Sequence, residues 1–357
     1  MAAARSPCHL VGSFPASDAN TAFTKCCSAL KGKLRSVPDG EPGWRWNFTI
    51  GLVQKLAVAN PALGPIWREY DANYDPKPVQ DMAEEQVSAL LQAIRETDWS
   101  MGYDADAKAS YATFVKLRDD GKIDQGVKFQ VCLPGVSSFA IFIKPAFQYL
   151  VEDLVYEVMR KEVRAIVEGI PAEELAVQSD IASDYIKCEV QRHPEYLEAL
   201  REDFLPPQED AMERYSKQHA GLLDLLPSGA EAGLHICMGN INNKPILAPQ
   251  TMDVMVNLVN SIAAKTSRKL QWVHFGVLPE WQDSKMYEPL QRLAIKDAAV
   301  YLGLVYPDDA EGAKKRKQSA EKVLSDFGIS PPCGLARTSE EGVESVFGIL
   351  TALSAAS

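Results

Sequence analysis

The sequence lacks any stretch approaching the roughly 20 uninterrupted apolar residues that cross a bilayer, and its opening, MAAARSPCHLVGSFP, has no apolar core of signal-peptide length. The expectation is a cytoplasmic protein with no membrane partner. Basic residues are outnumbered, 37 Lys and Arg against 48 Asp and Glu, for a net charge of -11. A field of that sign repels phosphate backbones, which argues against nucleic acid as a partner. The one basic cluster, Lys314, Lys315, Arg316 and Lys317, follows Asp308, Asp309 and Glu311 and reads as a solvated helix face. Cysteines number only seven, an odd count in 357 residues, which argues against a disulfide framework and for reduced thiols or ligands. G-x-G-x-x-G, G-x-x-x-x-G-K-[ST] and G-x-S-x-G are all missing. Nicotinamide redox chemistry, nucleotide hydrolysis and the α/β-hydrolase mechanism thereby lose their usual support.

What is present is a globular composition, 46% hydrophobic and 24% charged, with a mean hydropathy of -0.16. Short apolar or β-branched runs occur at 8–13, 128–134, 175–180, 233–238, 270–277 and 301–306. Near-continuous apolar strands are what a parallel sheet covered on both faces requires. Helical periodicity lies between them: Phe147, Leu150, Val151, Leu154, Val155 and Val158 share one face, as do Val254, Met255, Leu258 and Ile262. Alternation of this kind predicts βαβ units and an α/β fold, a single (βα)8 TIM-type barrel over residues 1–357. Residues 61–121, rich in Tyr, Trp, Asp and Pro with one amphipathic helix at 79–97, read as an excursion that could roof the site, with a separate small domain as the alternative.

In such a barrel the site lies at the carboxyl ends of the strands, which singles out Ser13, Asp180, His235, Cys237 and His274. The loop PDGEPGWRW adds Asp39, Glu41 and Arg45 beside Trp44 and Trp46, although it also reads as a plain turn packed down by its two Trp. His235 and Cys237 alternate along a strand and so share a face, presenting an imidazole and a thiolate suited to zinc. Two further ligands are needed, and His274 and Cys333 can supply them. On spacing alone, a packed Cys237 and a hydrogen-bonded core His235 fit better.

Several of these pieces resemble the catalytic barrel of cobalamin-independent methionine synthase, of the superfamily that also holds uroporphyrinogen decarboxylase. Val11-Gly12-Ser13-Phe14-Pro15 resembles its I-G-S-F-P, and Val177-Gln178-Ser179-Asp180 its I-Q-x-D-E-P. His235-x-Cys237 resembles its H-x-C zinc motif, and Pro332-Cys333-Gly334-Leu335 its D-C-G-L. The matches run in the family's order over nearly the whole chain. The resemblance implies zinc bound by His235, Cys237 and Cys333, with His274 at the place of a Glu ligand, and an amino-acid-like substrate contacted by Ser13 and Asp180. Gln178 and Trp46 join Ser13 as expected substrate-binding residues. The chain also departs from the pattern. D-E-P is Asp180-Ile181-Ala182, and D-I-H-S, whose His is the proton donor in methyl transfer, falls on Val305-Tyr306-Pro307-Asp308. The Trp-Ser expected after G-P is missing from Pro134-Gly135-Val136-Ser137-Ser138-Phe139. These departures argue against a folate-dependent methionine synthase.

The expected function is therefore a small-molecule enzyme performing zinc-assisted methyl or thiol transfer. The alternative is a metal-free lyase, decarboxylase or cyclase of small-molecule metabolism, working with Asp39, Glu41, Arg45 and Asp180. A non-catalytic binding protein on the same scaffold is a third reading. Oligomeric state stays open.

Overall fold

A computed structural model of the chain describes residues 7–71, 76–198, 204–239, 245–295 and 297–355. The apolar runs become strands of one wholly parallel sheet, in chain order: β1 (Ser36–Pro38), β2 (Lys128–Pro134), β3 (Leu175–Ile181), β4 (Glu231–Ile236), β5 (Trp272–Gly276), β6 (Ala299–Gly303) and β7 (Gly328–Ile329). Every residue of β3, β5 and β6 is buried, as sheet covered on both faces demands. The helices are α1 (Ala19–Ala29), α2 (Thr49–Ala59), α3 (Glu84–Glu96), α4 (Tyr103–Asp119), α5 (Ser137–Ala140), α6 (Pro145–Gly169), α7 (Ser183–Arg192), α8 (Ala211–Leu223), α9 (Asp253–Lys265), α10 (Ala310–Glu321) and α11 (Glu340–Ala355). Pro145 opens α6 at a position that has no backbone donor to lose, and Phe147, Val151, Val155, Met159, Val163 and Ile166 bury one stripe of it.

The eighth strand expected at 8–13 does not form. Cys8 alone makes a parallel bridge on each side, to Leu34 just before β1 and to Ile329 in β7. The next carbonyls are taken by side chains instead of by a ladder: Leu10 O accepts from Gln130 Nε2 at 3.1 Å, and Val11 O from Gln178 Nε2 at 2.6 Å. The sheet thus curls until its two edges meet one short segment.

Of the stretch 61–121, α4 packs against α1, α6 and β2, as the helix linking β1 to β2 must. Among the described residues no helix is long and apolar enough to cross a membrane.

Inside the curl a small cluster of Ala176, Trp272, Ala299 and Tyr301 is separate from the large core between sheet and helices. Gly233 makes room for it, since a Cβ there would lie 1.9 Å from the Trp272 ring. Gly233→Ala is expected to cost about 1–3 kcal/mol by overpacking, read as a lowered urea midpoint.

Candidate functional site

Strand alternation sends Gln178 and Asp180 of β3, His235 of β4 and His274 of β5 into the interior, where His235 pairs in register with both Asp180 and His274. Cys237 follows β4 on the same face, and its N–H donates to Ile181 O at 2.8 Å. Cys333 arrives from the far end of the chain. It can do so because β6 ends in Gly303, where a Cβ would lie 2.5 Å from the Pro332 Cα. Leu335 N–H then donates to Ser13 O at 2.7 Å, stitching this loop to the segment that carries Ser13.

Among the described residues, His235, Cys237 and Cys333 form a group whose ligand atoms all lie within 4.8 Å of one another. One imidazole and two thiols at such spacing are a donor set that fits zinc. The Cys237 thiol donates to Cys333 Sγ at 3.7 Å. That hydrogen bond holds Cys333 well below the ordinary thiol range, and the same pairing, with burial, pushes Cys237 well above it. His274, the expected fourth ligand, lies outside the group. Its Nδ1 meets His235 Nδ1 at 2.7 Å and its Nε2 meets Ser330 Oγ and Pro331 O, the latter at 3.2 Å.

The three donors open into a cleft whose other polar lining includes Ser13, Glu41, Asp180, Asn47, Ser138 and Arg337, and whose apolar lining includes Phe48, Ile50, Tyr70, Ile141, Phe142 and Ile246. Ser13 and Asp180 thus line the same cleft as the three donors. Gln178 and Trp46 are not part of the lining. Gln178 is wholly buried beneath Asp180, donating to its Oδ1 at 2.8 Å, while Trp46 is 50% exposed. Of residues 61–121 the lining includes Tyr70, beside Thr49 and Ile50 at the start of α2 and residues 141–142.

The loop after β1 divides the three charged candidates. Asp39 and Arg45 face each other in a buried pair, with Arg45 Nη2 to Asp39 Oδ2 at 2.7 Å, and Ser110 Oγ donates to the same oxygen at 2.6 Å. Arg45 also reaches Asp106 at 3.3 Å. Neither Asp39 nor Arg45 lines the cleft, but Glu41 does, placed there by a left-handed φ of 53°. Burial pushes the Glu41 carboxyl up to about 8, the Arg45 charge pulling against it. Burial and the neighbouring Glu41 likewise push Asp180 well above the carboxylate range. Residues that the sequence reading missed, such as Asn47, Phe48, Ser138 and Arg337, carry no motif, and only proximity in the fold finds them.

No family model matches the chain, and no curated protein matches it. Among solved structures it is similar to a B12-independent methionine synthase from Shewanella sp. W3-18-1 in complex with selenomethionine, at 13% identity over 99% of this chain and 98% of that one, with a TM-score of 0.51. It is also similar to a methyltransferase from Methanosarcina mazei, at 12% identity over 98% of this chain and 95% of that one, with a TM-score of 0.48. The Shewanella likeness shows a shared fold.

Two outcomes follow from the Asp39 loop. Arg45→Met leaves Asp39 buried without its cation and is expected to cost about 3–5 kcal/mol in chemical denaturation. Glu41 binds its proton more tightly folded than unfolded, so it costs stability as pH rises from the ordinary value of 4.5 to about 8. Glu41→Gln is expected to flatten the fall in stability over that window, measured as denaturation midpoints at several pH values.

Proposed function

We propose that this chain transfers a methyl group to the sulfur of a small, amino-acid-like thiol, with zinc held by His235, Cys237 and Cys333. The observation that carries this reading is the clustering of those three donors in the lining of the cleft. The resemblance of H-x-C and P-C-G-L to the methionine synthase zinc motifs, and the fold shared with the Shewanella enzyme, support it further. When bound, zinc supplies a positive charge that lowers the pKa of a substrate thiol, yielding a thiolate nucleophile at neutral pH.

The chain's own residues perform the remaining tasks. Ser13 and Asp180 line the cleft beside the donors and position the polar end of the substrate. Gln178 fixes the Asp180 carboxyl group through its 2.8 Å hydrogen bond. In the transfer a sulfur–carbon bond forms as the methyl–donor bond breaks, and the donor departs with the electron pair and needs a proton. Glu41 faces the cleft and holds a proton near neutral pH, so it serves as that acid where the family's His is missing. The methyl donor is not assigned to folate, because the expected Trp-Ser is replaced after Gly135. The apolar lining of the cleft suits a less polar donor.

The metal-free lyase, decarboxylase or cyclase has less support. It asks Arg45 to bind a substrate carboxylate, yet Arg45 is buried against Asp39 and Asp106.

Protein purified without chelator or metal-affinity resin is expected to carry about one zinc per chain by plasma mass spectrometry, as a catalytic site of this donor set should. Cys237→Ser and Cys333→Ser should lose it. Asp180→Asn should keep the metal and lose methyl transfer to thiols. Folded wild-type protein with no metal would sink the reading.

A further inference from the structure

The three donors in the cleft lining come from two segments, and one of them, His235, is held from behind. The contacts behind it determine which of its nitrogens is available. Pro331 O can only accept a hydrogen bond, so the His274 Nε2 at 3.2 Å from it carries a hydrogen. The hydrogen-bond partners of the buried His274 ring are Pro331 O, Ser330 Oγ and His235 Nδ1. A neutral ring with its hydrogen on Nε2 has a bare Nδ1, and Nδ1 is the atom that meets His235 Nδ1 at 2.7 Å. Two nitrogens at that distance share one hydrogen, so the hydrogen belongs to His235 Nδ1. The lone pair of His235 is then left on Nε2.

We infer that His274 is a positioning residue rather than a fourth metal ligand, and that its hydrogen bonds engage His235 Nδ1 and so leave Nε2 as the nitrogen His235 offers to a metal ion. This rests on the zinc reading above. It reproduces for imidazole the arrangement in which a metal-binding His gives its other N–H to a fixed acceptor. The chemical consequence is a site with three protein donors. All three line the cleft, so the fourth position of a tetrahedral ion belongs to whatever occupies it, a water or a substrate thiol. His274 is tied by both nitrogens and does not compete for that position.

The test has two parts, one of which needs no metal. Long-range ¹H–¹⁵N spectra of the histidine rings are tractable with five His in the chain. In chelator-treated protein they are expected to show hydrogen on Nδ1 of His235 and on Nε2 of His274, and the opposite pair of tautomers would overturn the inference. In zinc-loaded protein, X-ray absorption at the zinc edge is expected to show two sulfurs and one imidazole, both in the wild type and in His274→Gln, whose amide oxygen can still accept from His235. Two imidazoles in the wild type and one in the variant would overturn it. His274→Phe, which removes the acceptor, should weaken zinc in chelator competition by about 10–100-fold, and His274→Gln should restore most of that loss. If the protein takes up no zinc, the zinc reading fails, and the tautomers of the metal-free protein still decide the hydrogen-bond assignment.

Discussion

Gln178 is wholly buried in the middle of the curled sheet, and the polar groups around it are arranged so that neither end of its amide goes unpaired. An unmet buried donor or acceptor costs about 1–3 kcal/mol, so the positions of its neighbours are tightly constrained. Its Nε2 gives one hydrogen to Val11 O at 2.6 Å and the other to Asp180 Oδ1 at 2.8 Å. Its Oε1 therefore faces the other way, accepting from His9 Nε2 at 2.8 Å and Gln130 Nε2 at 3.3 Å. One side chain thus fixes the segment that carries Ser13, the carboxyl group in the cleft and the tautomer of His9.

The same constraint shapes the layer above. Burial pushes His9 down to about 3 and holds His274 well below the usual imidazole range. His9 stacks on Tyr301 at 4.9 Å between ring centroids, and His274 links His235 to Pro331 O. The interior is thus a directed set of hydrogen bonds. It ends at the cleft in two kinds of group, carboxyls that resist ionisation and sulfurs that share a proton.

Much of this was legible in the sequence, where period and burial coincide. The runs that became β2 to β6 are each five residues or longer and largely apolar, and Cys237 follows from strand alternation two residues after His235. The strands β1 and β7, of three and two residues, are too short to show any period. Residues 8–13 look like a strand because they are apolar, but their carbonyls pair with side chains from elsewhere. In the Asp39 loop, residue types alone do not tell a working acid from a structural one. A left-handed turn at Glu41 aims it at the cleft and leaves Asp39 to Arg45. Gln178 matched a motif as a substrate contact, yet strand register sets it one layer deeper than Asp180. Trp46 is adjacent to the cleft in sequence and outside its lining in space.

Cys237 and Cys333 touch across 96 residues of chain. At synthesis rates of about 5–20 residues per second, the ribosome makes the second thiol roughly 5–20 s after the first. During that interval the nascent chain holds an imidazole and a thiol with no partner to complete the cluster, and β5 to β7 have yet to be made. Completion of the three-donor cluster is therefore a late event in biogenesis, and a chain released early would carry His235 and Cys237 without their third partner.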